Sequence, residues 1–268
     1  MQDIIVRVKT EEQLTAVLSF AKVRTVIADY GCAQTDVSSL KRGTPETKIL
    51  LQLPDVLREK KEESVRAIAE RAAFFDGIVI KNLDEIGLLE TLMREGGFPG
   101  PEETVLIGDS FLYATNTAAL SFYRSRFPGM KFILNDELSD RECALLIRKA
   151  EEKGIASASD FIYKAYGYQP LMITNQCLSR NYAGCSKPKM EFADEKRNRF
   201  FITSECSQCY AILYNGLPTS MLDKLDPVFP NLLLDFTIET EEEVKRILSA
   251  KRFAPEKLTR GHHYKEIP

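Results

Sequence analysis

Residues Ile4–Asp29 read IIVRVKTEEQLTAVLSFAKVRTVIAD and contain one complete strand–helix–strand unit. The run Ile4–Val8 is rich in the β-branched residues that favour strands. Thr10 with Gln13 forms a capping box, which marks the start of a helix. An apolar stripe at helical spacing follows, and a second strand-like run comes after it: Leu14, Val17, Leu18 and Ala21, then Thr25–Ala28. This order predicts two parallel strands joined by a helix that packs outside the sheet.

The same unit recurs along the chain. The later predicted strands are Lys48–Leu53, Gly77–Ile80, Thr104–Gly108, Lys131–Leu134, a strand within Phe161–Ile173 with PLMI as the best candidate, and Leu232–Phe236. Eight strands alternating with helices predict an α/β fold, a TIM-like (β/α)8 barrel that spans residues 1–268 as a single domain. A doubly wound open sheet is the alternative, although its usual glycine-rich first turn is missing.

One connection interrupts this repeat. Residues 174–230, between predicted strands 7 and 8, show no clear helical stripe and contain four of the six cysteines. Long irregular connections in compact domains are usually functional or disordered. The sequence therefore predicts a cysteine-containing insertion that folds over one end of the barrel.

The charge balance narrows the possible partners. The chain has 36 Lys and Arg against 39 Asp and Glu, a net charge of −3. The protein therefore has no overall positive charge that would attract nucleic acid, and any contact with nucleic acid must come from a local basic patch. The first residues do not resemble a signal peptide, and no apolar run approaches the roughly 18 residues that span a bilayer. We expect a cytoplasmic protein with no membrane contact.

The clustered cysteines predict a metal centre. Cys177, Cys185, Cys206 and Cys209 are spaced C-x7-C-x20-C-x2-C. Four thiolates complete a tetrahedral zinc site or ligate an iron–sulfur cluster. The wide first spacing is less typical of zinc ribbons and favours iron–sulfur, with zinc as the alternative. The alternative to a metal centre is that the four cysteines are free, buried thiols that pack as small apolar side chains. Cys143 lies on a helical core stripe and is expected to be a packed thiol.

Polar residues follow several predicted strands. In a barrel, the carboxyl ends of the strands meet at one mouth, where active sites lie. Acids, amides and a lysine gathered there could bind a polar small molecule or an extruded base. Each of them could instead cap the helix that follows it. The candidate substrate-binding residues are Asp29, Lys81, Asp109, Asn135 and Asp235.

A local basic stretch lies beside the cysteines. With nearby aromatic residues it could contact an RNA backbone and stack a base, or it could be a solvated loop. Its members are Lys187, Lys189, Lys196, Arg197 and Arg199. The chain has only two histidines and no H-E-x-x-H motif, so the residues give little support to conventional peptidase chemistry and assign no catalytic residue.

Several segments together resemble one family. They are GDSFLYATNTAAL (Gly108–Leu120), YGYQPLMITNQC (Tyr166–Cys177), FFITSECSQCYAILYNGLPTSMLD (Phe200–Asp223) and TRGHHYK (Thr259–Lys265), with Gly184 and Cys185 between the second and third. Their residues and order resemble the collagenase-like peptidases of family U-thirty-two. The likeness runs through most of the chain and is strongest from Asn116 onward.

The resemblance implies a TIM-like barrel whose four cysteines hold a [4Fe–4S] cluster. Relatives hydroxylate RNA bases or a ubiquinone precursor without molecular oxygen, and others carry the older label of collagenase-like proteases. We therefore expect an iron–sulfur enzyme or enzyme subunit for oxygen-independent hydroxylation of an RNA base or small aromatic substrate. The alternatives are a peptidase and a non-catalytic, metal-stabilised docking or RNA-binding barrel.

One departure from the family bears on partners. The best-known members have Glu-x-Phe-x-His-Gly-x-Leu-Cys where this chain has Ala165–Met172 leading to Cys177. The chain is thus similar to the C-terminal barrel of the long members, and it lacks the Ala-Pro-Ala-Gly start of many relatives. The resemblance implies a partner, either a second barrel of the same longer protein or a homologous subunit.

Overall fold

Eight parallel strands close into a barrel in the computed structural model. The structure describes residues 2–34, 37, 39, 43–56, 68, 70–96, 104–176, 189–206, 209–250 and 257–264. The strands are β1 (Asp3–Val8), β2 (Val23–Asp29), β3 (Lys48–Gln52), β4 (Gly77–Ile80), β5 (Val105–Gly108), β6 (Lys131–Ile133), β7 (Phe161–Thr174), β8 (Lys189–Ala193), β9 (Arg199–Glu205), β10 (Tyr210–Ser220) and β11 (Asn231–Asp235). Strands β1 to β7 pair in chain order, and β11 pairs with both β1 and β7, which closes the barrel. The predicted TIM-like fold is confirmed.

The helices that the structure describes lie between the barrel strands, and the first begins at the capping box that the sequence predicts. They are α1 (Glu11–Leu18), α2 (Leu83–Arg94), α3 (Thr117–Arg126), α4 (Asp140–Glu152) and α5 (Glu241–Ser249). Capping boxes open α1, α4 and α5, and asparagine side chains cap α2 and α3. Cys143 packs in the core on α4, as its place on the apolar stripe predicts. Among the described helices, none is long and apolar enough to cross a membrane.

The centre of the barrel is filled by one aliphatic side chain from each of its eight strands. These residues form a single buried cluster: Ile5, Ile27, Leu50, Val79, Ile107, Ile133, Ile162 and Leu233. Each is at most 6% exposed. Burying such side chains stabilises the fold by roughly 1.5–3 kcal/mol each. The barrel interior is therefore packed, and a ligand could bind only at one of its ends.

Strand β7 corrects the sequence prediction. Its first part, from Phe161 to Tyr166, pairs with β6 and β11 in the barrel wall, whereas PLMI lies farther out and is mostly exposed. PLMI is thus not the barrel segment of the strand. The change occurs at Gly167, whose φ of 153° favours glycine and whose added Cβ would lie 2.8 Å from the Cβ of Asp235.

In the part that the structure describes, the predicted insertion forms an antiparallel sheet rather than an irregular loop. The outer part of β7 pairs with β10, β10 pairs with β9, and β9 pairs with β8. We call β8, β9, β10 and the outer part of β7 the extension. Its aromatic side chains pack with Val56 and Ile238 of the barrel loops: Phe201, Tyr210 and Tyr214. The extension therefore lies against the end of the barrel where the strands terminate.

The C-terminal TRGHHY segment is docked on the barrel wall. Arg260 forms a two-pronged ion pair with Asp223, with N–O distances of 2.6 and 2.8 Å. His263 Nδ1 lies 2.9 Å from both the Tyr163 hydroxyl and an oxygen of Asp140. These contacts fasten the segment to β7 and to the first turn of α4.

Candidate functional site

A layer of polar side chains lies at the carboxyl end of the barrel, immediately beyond the aliphatic cluster. Side chains along a strand alternate between its two faces, so the residue two places after an inward residue also points inward. In all eight barrel strands that residue is polar. We call these residues the polar layer: Arg7, Asp29, Gln52, Lys81, Asp109, Asn135, Lys164 and Asp235. All except Asn135 are buried.

Arg7 links two acids of the polar layer. Its guanidinium bonds Asp109 through Nη2, and its Nη1 donates to Asp235 Oδ2 at 3.2 Å. The Asp109 side chain is fully buried. Although burial opposes ionisation, the Arg7 charge holds the pKa of Asp109 below its usual range. Asp109 is therefore a carboxylate that is already neutralised by the protein.

Lys81 forms a second ion pair across the mouth. Its ammonium donates to Asp55 Oδ1 at 2.7 Å, and both side chains are 7% exposed. Tyr210 of the extension contacts the same residue, because its hydroxyl accepts from the Asp55 N–H at 3.0 Å. Against the effect of burial, the neighbouring Lys81 and Lys9 charges lower the pKa of Asp55. Lys81 is charged and paired, which is unlike a nucleophilic lysine.

Asp29 differs from the other acids of the polar layer. Gln52 Nε2 donates to Asp29 Oδ2 at 3.1 Å, and the Gly31 N–H donates to Oδ1. Burial raises the pKa of Asp29, and the charge of Lys9 only partly offsets the loss of hydration. The pKa of Asp29 is thus shifted in the direction opposite to that of Asp109, towards the range in which a carboxyl group can exchange a proton.

The extension closes the mouth from above. Lys9 Nζ lies 3.2 Å from Glu205 Oε1 and 5.5 Å from the centre of the Tyr214 ring. Between the extension and the polar layer lies a cavity of about 30 Å³, lined by both Lys81 and Asp235. That volume holds one or two water molecules but no organic substrate. An organic ligand would therefore reach Lys81 and Asp235 through this cavity only if the extension moved.

A larger groove lies at the edge of the mouth, and we call it the rim groove. Its volume is about 220 Å³. It is lined by Ser110, Phe111 and Tyr113 after β5, by Asn135–Glu137 after β6, and by Gln169–Ile173 on the outer part of β7. Asn135 is fixed there, since its Nδ2 donates to the Ser110 carbonyl at 2.8 Å. The rim groove is the described cavity beside the mouth that is large enough for a ring-sized ligand.

Two of the four predicted metal ligands can be placed. Cys206 and Cys209 are exposed in the turn between β9 and β10, and Cys209 has a left-handed backbone (φ 51°). Cys177 and Cys185 lie outside the described residues. Among the residues that the structure describes, no group of three or more His, Cys, Asp or Glu side chains could hold a metal ion.

The predicted RNA-contacting stretch falls on the β8–β9 hairpin, except for Lys187, which lies outside the described residues. Lys189 forms an ion pair with Glu191 at 2.8 Å. Lys196, Arg197 and Arg199 are exposed near the turn. Phe192 and Phe200 stack on this hairpin with ring centres 5.6 Å apart. Acidic neighbours, Asp194 among them, reduce the positive charge of the hairpin.

The structure divides the predicted substrate-binding residues among three places. Lys81 and Asp235 line the small cavity under the extension, Asp29 and Asp109 are buried in the polar layer without lining it, and Asn135 lines the rim groove. Asp29 and Asp109 also cap the turns that follow them. Residues of the mouth that the sequence prediction missed are Arg7, Lys9, Gln52, Asp55 and Lys164. A polar residue two places after the central aliphatic residue of each strand is the signal that identifies Arg7, Gln52 and Lys164.

Comparisons with known proteins find distant barrels. No protein-family model matches the chain, and no curated protein matches it. Similar solved structures include a 3-dehydroquinate dehydratase from Aquifex aeolicus VF5, with 17% identity over 56% of this chain and 74% of that one and a TM-score of 0.35. A chitinase-like agglutinin from Robinia pseudoacacia has 11% identity over 90% and 98%, with a TM-score of 0.39. A class V chitinase from Nicotiana tobaccum has 9% identity over 92% and 97%, with a TM-score of 0.40. These similarities carry no information on ligand or reaction.

Proposed function

We propose that the protein is an iron–sulfur enzyme or enzyme subunit whose four clustered cysteines hold one metal centre at the end of the extension where β9 leads into β10. The strand register is the observation that supports this proposal. Thr174, the last residue of β7, pairs with Ala211, and Lys189, the first residue of β8, pairs with Thr203. The ends of β7 and β9 and the starts of β8 and β10 therefore lie at the same end of the sheet.

This arrangement bounds the distances between the cysteines. Cys206 directly follows β9, and Cys209 directly precedes β10. Cys177 comes three residues after Thr174, and Cys185 comes four residues before Lys189. A residue spans at most about 3.6 Å, so each of these two cysteines is tethered within roughly 11–14 Å of a strand end beside the Cys206–Cys209 turn. Four soft thiolate donors with such tethers fit a [4Fe–4S] cluster, and they also fit zinc.

The resemblance to the U-thirty-two family supplies the reaction in this proposal. It is the oxygen-independent hydroxylation of an RNA base or a small aromatic substrate, a two-electron oxidation in which a co-substrate of the oxygen-atom-donor class would supply the oxygen and be reduced by the two electrons. A bound cluster would supply electron transfer. The chain's own residues would exclude water from the mouth, through the extension, and would hold fixed charges there, through Arg7 and Lys81.

Anaerobic purification of the full chain, followed by iron, sulfide and zinc analysis, tests the metal centre. We expect iron and sulfide in equal amounts, and loss of both in Cys206→Ser and Cys209→Ser. Cys143→Ala is the matched control, because that buried thiol packs on α4 and should leave the metal content unchanged. A protein that contains neither iron nor zinc after anaerobic preparation contradicts the proposal.

A non-catalytic docking barrel is the second candidate, and one observation favours it. The polar layer is filled by its own ion pairs and covered by the extension, which leaves about 30 Å³ of space. Such a barrel would stabilise a partner barrel of the same longer protein, a homologous subunit or an RNA. Retention of the metal without any substrate turnover, together with co-purification of a partner barrel, would favour this candidate.

The peptidase alternative has less support from the described residues. Hydrolysis needs an activated nucleophile or water beside a base. His263 is held by Asp140 and Tyr163 in the barrel wall and lines neither the mouth cavity nor the rim groove. Cleavage of denatured collagen by the purified protein, abolished by a change at one Ser, Asp or His, would favour the peptidase.

A further inference from the structure

The rim groove combines an apolar wall with an acidic edge. Leu171 and Met172 of β7 are 50% and 49% exposed, and Phe111 on the opposite loop is 38% exposed. Side chains of this size are normally buried, and their grouping around a concavity is typical of ligand sites. The volume of about 220 Å³ exceeds the roughly 150 Å³ of a cavity that accepts a benzene ring. A single aromatic ring with a short substituent therefore fits.

The acidic edge is formed by the loop after β6. Asp136 is neutralised, because Lys164 Nζ donates to its Oδ2 at 2.8 Å. Glu137 is exposed, and the Tyr113 hydroxyl donates to its Oε1 at 3.1 Å. Among the described residues, no cation forms an ion pair with Glu137. The rim groove consequently has a net negative charge of one and a carboxylate that is available to a positively charged group.

Tyr113 is held in an unusual backbone conformation at this edge. Its φ of 50° and ψ of 41° lie in the left-handed region, which bulky residues rarely adopt. Its side chain is nevertheless 51% exposed and points its hydroxyl to Glu137. Strain of this kind persists where the surrounding structure enforces it, and it is concentrated at functional positions.

We propose that the rim groove binds a small aromatic amine, with the ring against Phe111 and Met172 and the ammonium group beside Glu137. This inference rests on the proposed function, since it names the class of substrate. Ile173 lines the rim groove and lies four residues before Cys177, so a bound ring lies beside the strand that leads to the first cysteine. The negative charge disfavours an anionic ligand, including the phosphate backbone of RNA.

Three probes test the contributions of the ring and of the positive charge separately: benzylamine, benzoate and butylamine. They are titrated against the full chain by ligand-observed NMR or calorimetry. We expect benzylamine to bind with a dissociation constant in the millimolar range, as is usual for a fragment of that size. Benzoate, which lacks the positive charge, and butylamine, which lacks the ring, should each bind at least about fivefold more weakly.

Variants locate the binding. Glu137→Gln should weaken benzylamine binding by about threefold to tenfold. Phe111→Leu should weaken it as well, and this second variant decides the question if the first one does not fold. Glu95→Gln is the matched control, because Glu95 is an exposed acid at the end of α2 outside the rim groove.

Binding of benzoate as tight as that of benzylamine, no benzylamine binding at about 10 mM, or benzylamine binding unchanged in the folded variants would overturn the proposal. The titration is repeated on Cys206→Ser. Retained benzylamine binding by a chain without metal supports the rim groove on its own, so failure of the metal centre and failure of the rim groove give different results.

Discussion

Arg7 is the residue on which the polar layer depends most, because it alone pairs with both Asp109 and Asp235 among the described side chains. Replacing it by methionine keeps much of the apolar stem but leaves two acids without their cation. We expect Arg7→Met to lower the free energy of unfolding at neutral pH by about 3–5 kcal/mol, the usual effect of removing one partner of a buried pair. Urea denaturation followed by circular dichroism measures this.

The matched control for that change is Arg148→Met. Arg148 pairs with Glu152 on the surface of α4, at 3.7 Å and with both side chains more than half exposed. Its loss should change the free energy of unfolding by less than about 1 kcal/mol. The decrease in the free energy of unfolding caused by Arg7→Met should also be smaller in mild acid, because the unpaired carboxylates of Asp109 and Asp235 can then take up protons. Equal effects of the two changes would show that the Arg7 pairs contribute little.

A second residue-scale prediction concerns Tyr113. Asparagine tolerates a left-handed backbone better than tyrosine does, so Tyr113→Asn should relieve strain and leave the free energy of unfolding unchanged or higher by up to about 1 kcal/mol. The same change removes the hydroxyl that orients Glu137 and should weaken benzylamine binding. Parallel thermal and binding measurements test both effects. A clear loss of stability would show that the tyrosine side chain, and not its backbone, dominates at this position.

At the scale of the secondary structure elements, the extension should open independently of the barrel. A Cβ at Gly216 in β10 would lie 2.2 Å from the Arg199 carbonyl oxygen of β9. We expect Gly216→Ala to force these strands apart and to accelerate amide exchange in β8–β10 by at least about tenfold, with little change in β1–β6. Hydrogen exchange read by mass spectrometry resolves the two regions.

Gly87→Ala is the control for that experiment. Gly87 is exposed within α2, and an added Cβ meets nothing within 4 Å. Alanine favours a helix over glycine, so this variant should gain roughly 0.5–1 kcal/mol of stability without opening the extension. Exchange that accelerates uniformly over barrel and extension in Gly216→Ala would mean that the two open as one unit.

The sequence predicts elements well where local signals agree. Thr10, Ser139 and Thr240 each combine a cap with an apolar stripe, and each opens a helix. PLMI lies outside the barrel wall, and the sequence does not reveal this because an apolar run alone does not distinguish a barrel strand from an exposed extension. Strands β8–β10 were missed because only part of their surface is buried, so they lack the regular alternation that reveals a strand.

The polar layer shows the same limit at the candidate site. Asp29, Asp109 and Asp235 stand at strand ends, where polar residues are expected, and the sequence identified them. Arg7 and Lys164 lie inside strands whose neighbouring residues are apolar, so they were not identified. Their inward direction becomes evident only when the residues two places before them, Ile5 and Ile162, are placed in the barrel centre. Pairings between distant strands, such as Arg7 with Asp109, cannot be read from local sequence.

On the scale of the whole molecule, two buried acids should make the free energy of unfolding fall as pH rises. Burial raises the pKa of Glu85 to about 8 and that of Glu239 to about 7. In the unfolded chain both groups lose their proton near pH 4.5, whereas in the folded chain they keep it up to about pH 7 and pH 8. These groups therefore stabilise the folded state fully below about pH 4.5, and their contribution declines as pH rises until it is lost at about pH 7 for Glu239 and about pH 8 for Glu85.

Other buried acids act in the opposite sense. The pKa values of Asp55 and Asp109 are lowered, against burial, by Lys81 and Arg7 respectively. Their contribution is present above the usual aspartate pKa and is lost as pH falls below it. The two groups of acids together predict a maximum of stability near about pH 5, with a decline towards both acid and alkaline pH.

Glu239→Gln tests the alkaline side of this curve. The Glu239 Oε2 atom accepts from the N–H groups of Thr237 at 2.6 Å and Ile238 at 3.0 Å, and an amide oxygen can accept the same two bonds without charge. The free energy of unfolding of the natural chain should fall between about pH 5 and about pH 8.5, by on the order of 3 kcal/mol from Glu239. The variant should show a smaller fall, whereas Glu242→Gln, an exposed acid in the first turn of α5, should show the full one. Urea denaturation at the two pH values measures all three chains. An equal fall in the natural chain and in Glu239→Gln would mean that the pKa of Glu239 is not raised in the folded protein.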